Sequence, residues 1–229
     1  MFDVRGLNVA YGQSQVLHGI DMSVAPGEIV AVVGRNGMGK STLMKSLIGV
    51  IPSKSGEISV DGTDVAAMPS HTRVKRGLAY VPQGRQIFGT MTVRENIETG
   101  LVVTGKSDIP DEIYSLFPIL YEFEKRRGGN LSGGQQQQLA IARALASDPK
   151  ILLLDEPTEG IQPSVIKDIA VVLKQIRQLR NLTIVVCEQL LSFVLDVADR
   201  ILVMENGRIV HSERREGVDE ATIARFLAV

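Results

Sequence analysis

The sequence predicts an α/β fold built around a mostly parallel sheet. Two observations lead to this prediction: short apolar runs rich in β-branched residues, and amphipathic helical segments between them. Strands that are buried on both faces of a parallel sheet read as continuous apolar runs rather than as alternating ones. The four runs are Ile29–Val33, Leu78–Val81, Ile151–Leu154 and Thr183–Cys187.

The most extended helical pattern follows the third of these runs. Apolar residues recur there every three or four positions, which predicts a single stripe that packs on the sheet. The polar residues between them, such as Lys167 and Lys174, are expected to face water. The predicted stripe consists of Val165, Ile166, Ile169, Val172, Leu173, Ile176 and Leu179.

Two other parts of the chain follow different patterns. Short segments separated by Gly, Asp and Pro turns predict antiparallel strands near the N-terminus. A helical stretch with apolar faces precedes the third apolar run. We therefore predict one domain over residues 1–229, with an antiparallel β lobe (about 1–28 and 55–77), an α/β core (about 29–54, 78–83 and 146–229) and a helical subdomain (about 84–145).

The bulk composition excludes several classes of protein. The 25 basic residues are balanced by 26 acidic ones, for a formal net charge of −1, so no nucleic-acid partner is expected. No apolar run approaches the roughly 18 residues that span a bilayer, and the N-terminus shows no signal-peptide pattern. The single cysteine, Cys187, fits a reducing compartment. These features predict a soluble cytoplasmic protein.

The segment "GRNGMGKST" carries the first functional motif. It fits G-x-x-x-x-G-K-[ST] and lies between an apolar run and a helical one, the context in which this motif binds phosphate. Glycines let backbone N–H groups surround the phosphates, and the helix N-terminus adds partial positive charge. Lys40 would reach the β- and γ-phosphates, and Ser41 would bind Mg²⁺. The predicted nucleotide ligands are Gly34, Arg35, Asn36, Gly37, Met38, Gly39, Lys40, Ser41 and Thr42.

The segment "ILLLDEP" is a buried run that ends in two carboxylates, Asp155 and Glu156. Carboxyl ends of parallel strands form the edge where open α/β sheets bind ligands. We expect Asp155 to hold Mg²⁺ and Glu156 to orient or deprotonate the attacking water. An acidic turn before Pro157 is the alternative interpretation, and the upstream phosphate motif argues against it.

A third segment, "LSGGQ" at 131–135, completes a resemblance to the ATP-binding-cassette (ABC) ATPases that covers essentially the whole chain. The resemblance implies a P-loop NTPase core of the RecA-like type, with ATP and Mg²⁺ as its ligands. It also implies that two such subunits pair head to tail. The signature residues Ser132, Gly133, Gly134 and Gln135 of one subunit would then close on the γ-phosphate held by the other.

Further positions match this family. Tyr11 corresponds to the aromatic residue that stacks on adenine, and an ordinary strand tyrosine is the alternative. Gln83 corresponds to the glutamine that contacts Mg²⁺ and water at the start of the helical insert. In the family this insert docks a membrane subunit, although a simple packing role is the other interpretation.

The sequence departs from the family pattern at three glutamines. Gln189 stands where a histidine is usual, Gln162 replaces a common aspartate and Gln138 a common arginine. A glutamine can donate a hydrogen bond to a phosphate but does not become charged near neutral pH. We expect Gln189 to sense the γ-phosphate and count it with Glu156, Lys40 and Gln83 as catalytic; a polar residue at a strand end is the alternative.

Gln189, together with "VPQGRQIFGTMTVRENI" and "DEPTEGIQPS", resembles one branch of the family, the branched-chain amino-acid and amide uptake group. The likeness is greatest to the ATP-binding subunits of urea importers. It implies an ATPase that energises solute uptake from the cytoplasmic face of the inner membrane. The implied partners are a second ATPase subunit, identical or different, integral-membrane permease subunits and, indirectly, an extracytoplasmic solute-binding protein. An exporter ATPase and a non-transport ATPase are the alternatives.

Overall fold

A six-stranded sheet forms the centre of the computed structural model, which describes residues 1–227. Its strands are β3 (Ile29–Val33), β6 (Leu78–Val81), β7 (Ile151–Asp155), β8 (Thr183–Glu188), β9 (Arg200–Glu205) and β10 (Arg208–Arg214). The spatial order is β10-β9-β3-β8-β7-β6, and only the β10–β9 pair is antiparallel. The prediction of a mostly parallel sheet from four apolar runs is confirmed.

A second, antiparallel sheet packs on one face of the central one. It consists of β1 (Phe2–Tyr11), β2 (Ser14–Val24), β4 (Ser55–Val60) and β5 (Thr63–Asp64), in the order β2-β1-β4-β5. Every pairing in this sheet is antiparallel, as the turn-separated segments predicted.

Nine α-helices lie among the described residues, and most cover the opposite face of the central sheet. Their bounds are α1 (Lys40–Leu47), α2 (Ser70–Lys75), α3 (Val93–Leu101), α4 (Asp111–Leu116), α5 (Pro118–Glu122), α6 (Gly133–Ala146), α7 (Pro163–Arg180), α8 (Leu191–Val197) and α9 (Glu220–Leu227).

The central strand β3 divides two apolar cores. Because side chains alternate across a strand, Ile29, Ala31 and Val33 face the helices, whereas Val30 and Val32 face the antiparallel sheet and α1. All five side chains are fully buried. The carboxyl end of β3 is therefore fixed from both sides, and the loop that follows it starts from a rigid base.

Helices α3 and α6 approach each other closely in the helical part of the chain. A Cβ atom on Gly100 would lie 2.2 Å from the carbonyl oxygen of Arg143, so only glycine allows this contact. Thr92 precedes α3 and caps it with a capping box, in which Thr92 and Glu95 satisfy each other's backbone N–H groups. This packing fixes the direction of α6, whose first residues carry the "SGGQ" segment.

The prediction of a buried stripe on α7 is wrong for one residue. Ile169, Val172, Leu173 and Ile176 are buried as expected, but the side chain of Leu179 is 67% exposed. At about 100° per residue, Leu179 lies roughly 80° from the direction of Ile169. The next residue, Arg180, lies on the stripe instead, and its guanidinium pairs with Glu112 at 2.6 Å.

Candidate active site

The phosphate-binding motif forms a tight loop between β3 and α1. Gly39 ends this loop with φ = 104°, a left-handed backbone conformation that glycine adopts without strain. At the other end, a Cβ atom on Gly34 would lie 2.5 Å from the carbonyl oxygen of Met204. Both positions thus require glycine for structural reasons, which explains the spacing of the motif.

Lys40 is the first residue of α1, and its side chain is only 4% exposed. Its ammonium donates hydrogen bonds to the carbonyl oxygens of Gly34, at 2.7 Å, and Arg35, at 3.1 Å. The same nitrogen is 3.3 Å from Oε1 of Glu156. A buried cation needs such partners, and an entering anion could replace them.

Asp155 ends β7 directly beside the start of α1. Its Oδ1 accepts a hydrogen bond from Ser41 Oγ at 3.1 Å, and its Oδ2 accepts one from Tyr80 at 3.2 Å. Burial raises the pKa of the Asp155 carboxyl, although both hydroxyls oppose this effect. Burial, followed by the neighbouring Asp155 charge, also raises the pKa of Tyr80, so its hydroxyl remains a donor at neutral pH. Ser41 and Asp155 thus supply adjacent oxygen ligands of the kind that Mg²⁺ prefers.

Glu156 is surrounded by the other predicted catalytic residues. Its backbone has φ = 49°, an uncommon conformation for a residue with a side chain. Gln83 Nε2 donates to its Oε2 at 3.2 Å, and Gln189 Nε2 donates to its Oε1 at 2.7 Å. Gln189 Nε2 also lies 2.8 Å from Oδ1 of Asn36 in the phosphate loop. The structure therefore brings Lys40, Gln83, Glu156 and Gln189 together.

Three of these residues, Lys40, Gln83 and Glu156, line a pocket of about 230 Å³. Its lining consists of Val16, Asn36, Gly37, Gly39, Lys40, Ser41, Thr42, Gln83 and Glu156. Larger cavities lie elsewhere on the surface, but this one contains the phosphate loop and the carboxylate. Tyr11 lies near its rim with 51% of its side chain exposed, and its hydroxyl is 3.5 Å from Thr42 Oγ1. An exposed ring at this position is available for stacking.

The signature segment lies at the start of α6 and does not line this pocket within the described part of the chain. Ser132 caps the helix: its Oγ accepts from Gln135 N at 3.3 Å, and Gln135 Oε1 accepts from Ser132 N at 2.9 Å. A Cβ atom on Gly134 would lie 2.8 Å from Val165 Cγ1, so α6 begins in close contact with α7. The glutamines after it continue as helix.

Sequence reasoning missed three residues of this region. Tyr80 donates to Asp155, while Thr158, two residues after Glu156, donates at 2.6 Å to Glu188, which precedes Gln189 in the chain. Glu188 carried a signal, because it is the only charged residue of the apolar strand β8. Tyr80 gave none, since a tyrosine in a buried strand is ordinary.

Comparisons with known proteins identify the family. The sequence model of the ABC transporter family matches residues 17–159, and the chain belongs to that family. The chain is an ABC ATPase that binds and hydrolyses ATP. The resemblance found in the sequence is thereby confirmed.

The relatives include a branched-chain amino acid transport protein and a lipopolysaccharide export protein. The chain is 44% identical over 213 residues to the high-affinity branched-chain amino acid transport ATP-binding protein BraG of Pseudomonas aeruginosa, covering 92% of this chain and 91% of that protein. It is 33% identical over 220 residues to the lipopolysaccharide export system ATP-binding protein LptB of Haemophilus influenzae, covering 93% and 90%.

A solved cassette dimer in a post-hydrolysis state, bound to ADP and Pi, superposes with a TM-score of 0.85 at 25% identity. The superposition covers 95% of this chain and 100% of the solved chain. Among residues 1–227, none of the helices combines the length and apolar character needed to cross a bilayer.

Proposed function

We propose that this chain is the ATP-hydrolysing subunit of an importer for a small polar solute, namely branched-chain amino acids, amides or urea. The observation that supports import most strongly is the 44% identity to a branched-chain amino-acid transport ATPase over nearly the whole of both chains. The more distant likeness to an export ATPase at 33% identity makes export the second candidate. A non-transport ATPase has no such support.

The hydrolysis step follows from the residues that the pocket brings together. The phosphate loop and Lys40 would bind the β- and γ-phosphates, with Tyr11 against the base. Ser41, Gln83 and Asp155 would hold Mg²⁺, which neutralises phosphate charge when it enters with ATP.

Glu156 would accept the proton of a water whose oxygen bonds to the γ-phosphorus as the bond to the ADP oxygen breaks. Gln189 would contact the same γ-phosphate, since its amide already lies between Glu156 and the phosphate loop.

The signature segment requires a second subunit in this proposal. Ser132, Gly133, Gly134 and Gln135 lie at a helix N-terminus outside the pocket of their own chain, so they would contact the nucleotide of a partner ATPase. The partner is either a second copy or a related chain. Membrane permease subunits would dock on the pair at the cytoplasmic face, and a solute-binding protein would act from the other side.

The substitution Glu156→Gln tests the two-subunit arrangement. It removes the proposed base while keeping a side chain that accepts hydrogen bonds, so ATP should bind without being cleaved and should hold two subunits together. We expect size-exclusion chromatography with light scattering to show a dimer with ATP and a monomer with ADP.

The control is Glu156→Gln combined with Ser132→Arg, which should bind ATP yet remain monomeric because the signature is blocked. A Glu156→Gln chain that stays monomeric at saturating ATP would contradict pairing of this chain with itself. The same measurement on Glu156→Gln mixed with the companion ATPase then tests the heterodimer.

Solute identity is tested in cells that lack the gene. Import predicts that uptake of labelled leucine, acetamide or urea falls when the gene is removed and returns with the wild-type chain but not with Glu156→Gln. Unchanged uptake of all three solutes would contradict the import proposal.

A further inference from the structure

Glu188 is a buried carboxylate beside the catalytic cluster. It is the last residue of β8, its side chain is 3% exposed, and no Lys or Arg of the described residues forms an ion pair with it. A buried charge without a cationic partner is costly unless hydrogen bonds satisfy it. Its surroundings must therefore supply donors.

Four hydrogen bonds fill this requirement, and they come from two different loops. Oε1 accepts from the backbone N and the Oγ1 of Thr158, at 2.9 and 2.6 Å. Oε2 accepts from the backbone N of Gln189 at 2.8 Å and of Leu190 at 3.1 Å. Each oxygen of Glu188 thus holds one loop, and hydrogen bonds to an ionised acceptor are among the stronger ones in proteins.

Both loops carry or contact Glu156. Thr158 follows Glu156 by two residues, and the side chain of Gln189 donates to Glu156 Oε1 at 2.7 Å. The contacts form a closed ring that runs from Glu156 through Thr158 to Glu188, and back through Gln189. A shift of either loop would therefore change the position of the Glu156 carboxylate.

We propose that Glu188 is a positioning residue for ATP hydrolysis, which fixes Gln189 and Glu156 relative to each other by joining the Thr158 loop to the end of β8. This inference rests on the proposed role of Glu156 as the base. Glu188 does not contact the nucleotide in this account; it acts through Gln189 and Thr158. Positioning errors of about 1 Å can lower a rate by about a hundredfold.

The substitution Thr158→Val tests this ring with little change in shape, since it removes only the hydroxyl donor. With the full-length chain, we expect kcat for ATP hydrolysis to fall about tenfold or more, with KM for ATP within about threefold of wild type. Thr158→Ser keeps a hydroxyl and should recover most of the lost kcat. Glu188→Gln, which presents an amide NH₂ to backbone donors, should behave like Thr158→Val.

The matched control is Thr183→Val at the opposite end of β8. Thr183 is also buried, and its Oγ1 accepts from Gly27 N at 3.2 Å, far along the strand from Glu188. The substitution Thr183→Val should lower the melting temperature, as we also expect for Thr158→Val, but it should leave kcat of the folded protein unchanged. A Thr158→Val protein with wild-type kcat would overturn the proposal.

A double-mutant cycle separates positioning from general stabilisation. If Glu188 acts through Gln189, adding Thr158→Val to Gln189→Ala should lower kcat by less than about twofold further. Independent, multiplying effects would overturn the proposal. Glu156→Gln is measured in parallel: if that variant retains turnover, the base assignment fails, whereas loss of turnover there with normal Thr158→Val rates rejects only the role of Glu188.

Discussion

Replacement of Gln189 by glutamate exchanges one amide nitrogen for a charged oxygen and changes little else in shape. In the wild-type chain, this nitrogen lies 2.7 Å from Glu156 Oε1 and 2.8 Å from Asn36 Oδ1. The substitution Gln189→Glu would place two carboxylates in direct contact. It therefore tests whether the side chain of Gln189 faces the Glu156 carboxylate.

The distance between the Gln189 and Glu156 side chains sets the magnitude of the expected loss of stability. Two unit charges 2.7 Å apart repel by about 6 kcal/mol at an effective dielectric constant of about 20, which is an upper limit. Side-chain rotation and the Lys40 ammonium, 3.3 Å from the same Glu156 oxygen, reduce this repulsion. We expect the free energy of unfolding at neutral pH to fall by about 2 kcal/mol.

The pH dependence of the stability loss gives a sharper test than the magnitude of that loss. Two carboxylates in contact share a proton, which raises the apparent pKa of the pair in the folded state above the ordinary value of about 4.3. At pH values between the ordinary carboxyl pKa and the raised pKa of the folded pair, the folded state binds more protons than the unfolded state. The free energy of unfolding therefore rises as pH falls through this range. The deficit of Gln189→Glu should shrink between about pH 7 and about pH 5, whereas that of Gln189→Ala should not.

Urea unfolding, followed by circular dichroism on the three proteins at each pH, measures this difference. If the Gln189→Glu deficit is absent, or equals that of Gln189→Ala at every pH, the two side chains do not meet and the reasoning fails. The same proteins provide the rate test, since Gln189→Ala hydrolysing ATP at the wild-type rate in the assembled transporter would remove Gln189 from the mechanism.

Two predictions concern structural charges away from the pocket. Arg73 is 1% exposed and donates to four backbone carbonyls, among them those of Ser46 and Leu47 at the end of α1. Arg73→Met should lower the free energy of unfolding by about 3 kcal/mol or more, and a loss below about 1 kcal/mol in urea titrations would contradict this. The Lys150 ammonium, as the largest cause, lowers the pKa of Asp61 to about 2. Because this folded value lies below the unfolded one, Asp61 stabilises the fold above about pH 4 and loses that contribution as pH falls toward 2; unfolding curves of Asp61→Asn should converge with wild type over this interval.

The fold class could be predicted because its signals are local. The strands β3, β6, β7 and β8 are buried on both faces, and such strands appear in sequence as unbroken apolar runs. The phosphate loop was predictable for a similar reason, since its motif is one contiguous segment and the left-handed backbone of Gly39 is a demand of the turn itself. Leu179 shows the limit of such patterns, because an apolar residue near the edge of a helical stripe can lie on either side of it.

The sequence by itself determined the α/β class, the phosphate loop, the paired carboxylates at the end of β7 and the glutamine in place of histidine. Each of these depends on residues close together in the chain. Only the tertiary structure decided that Gln189 bridges Asn36 and Glu156, that Tyr80 binds Asp155 and that Glu188 holds Thr158. These contacts join residues that are 30 to 153 positions apart in the chain. The spacing of two residues in the sequence does not give the distance between them in space, because the order of the strands in the sheet decides which strand ends lie together.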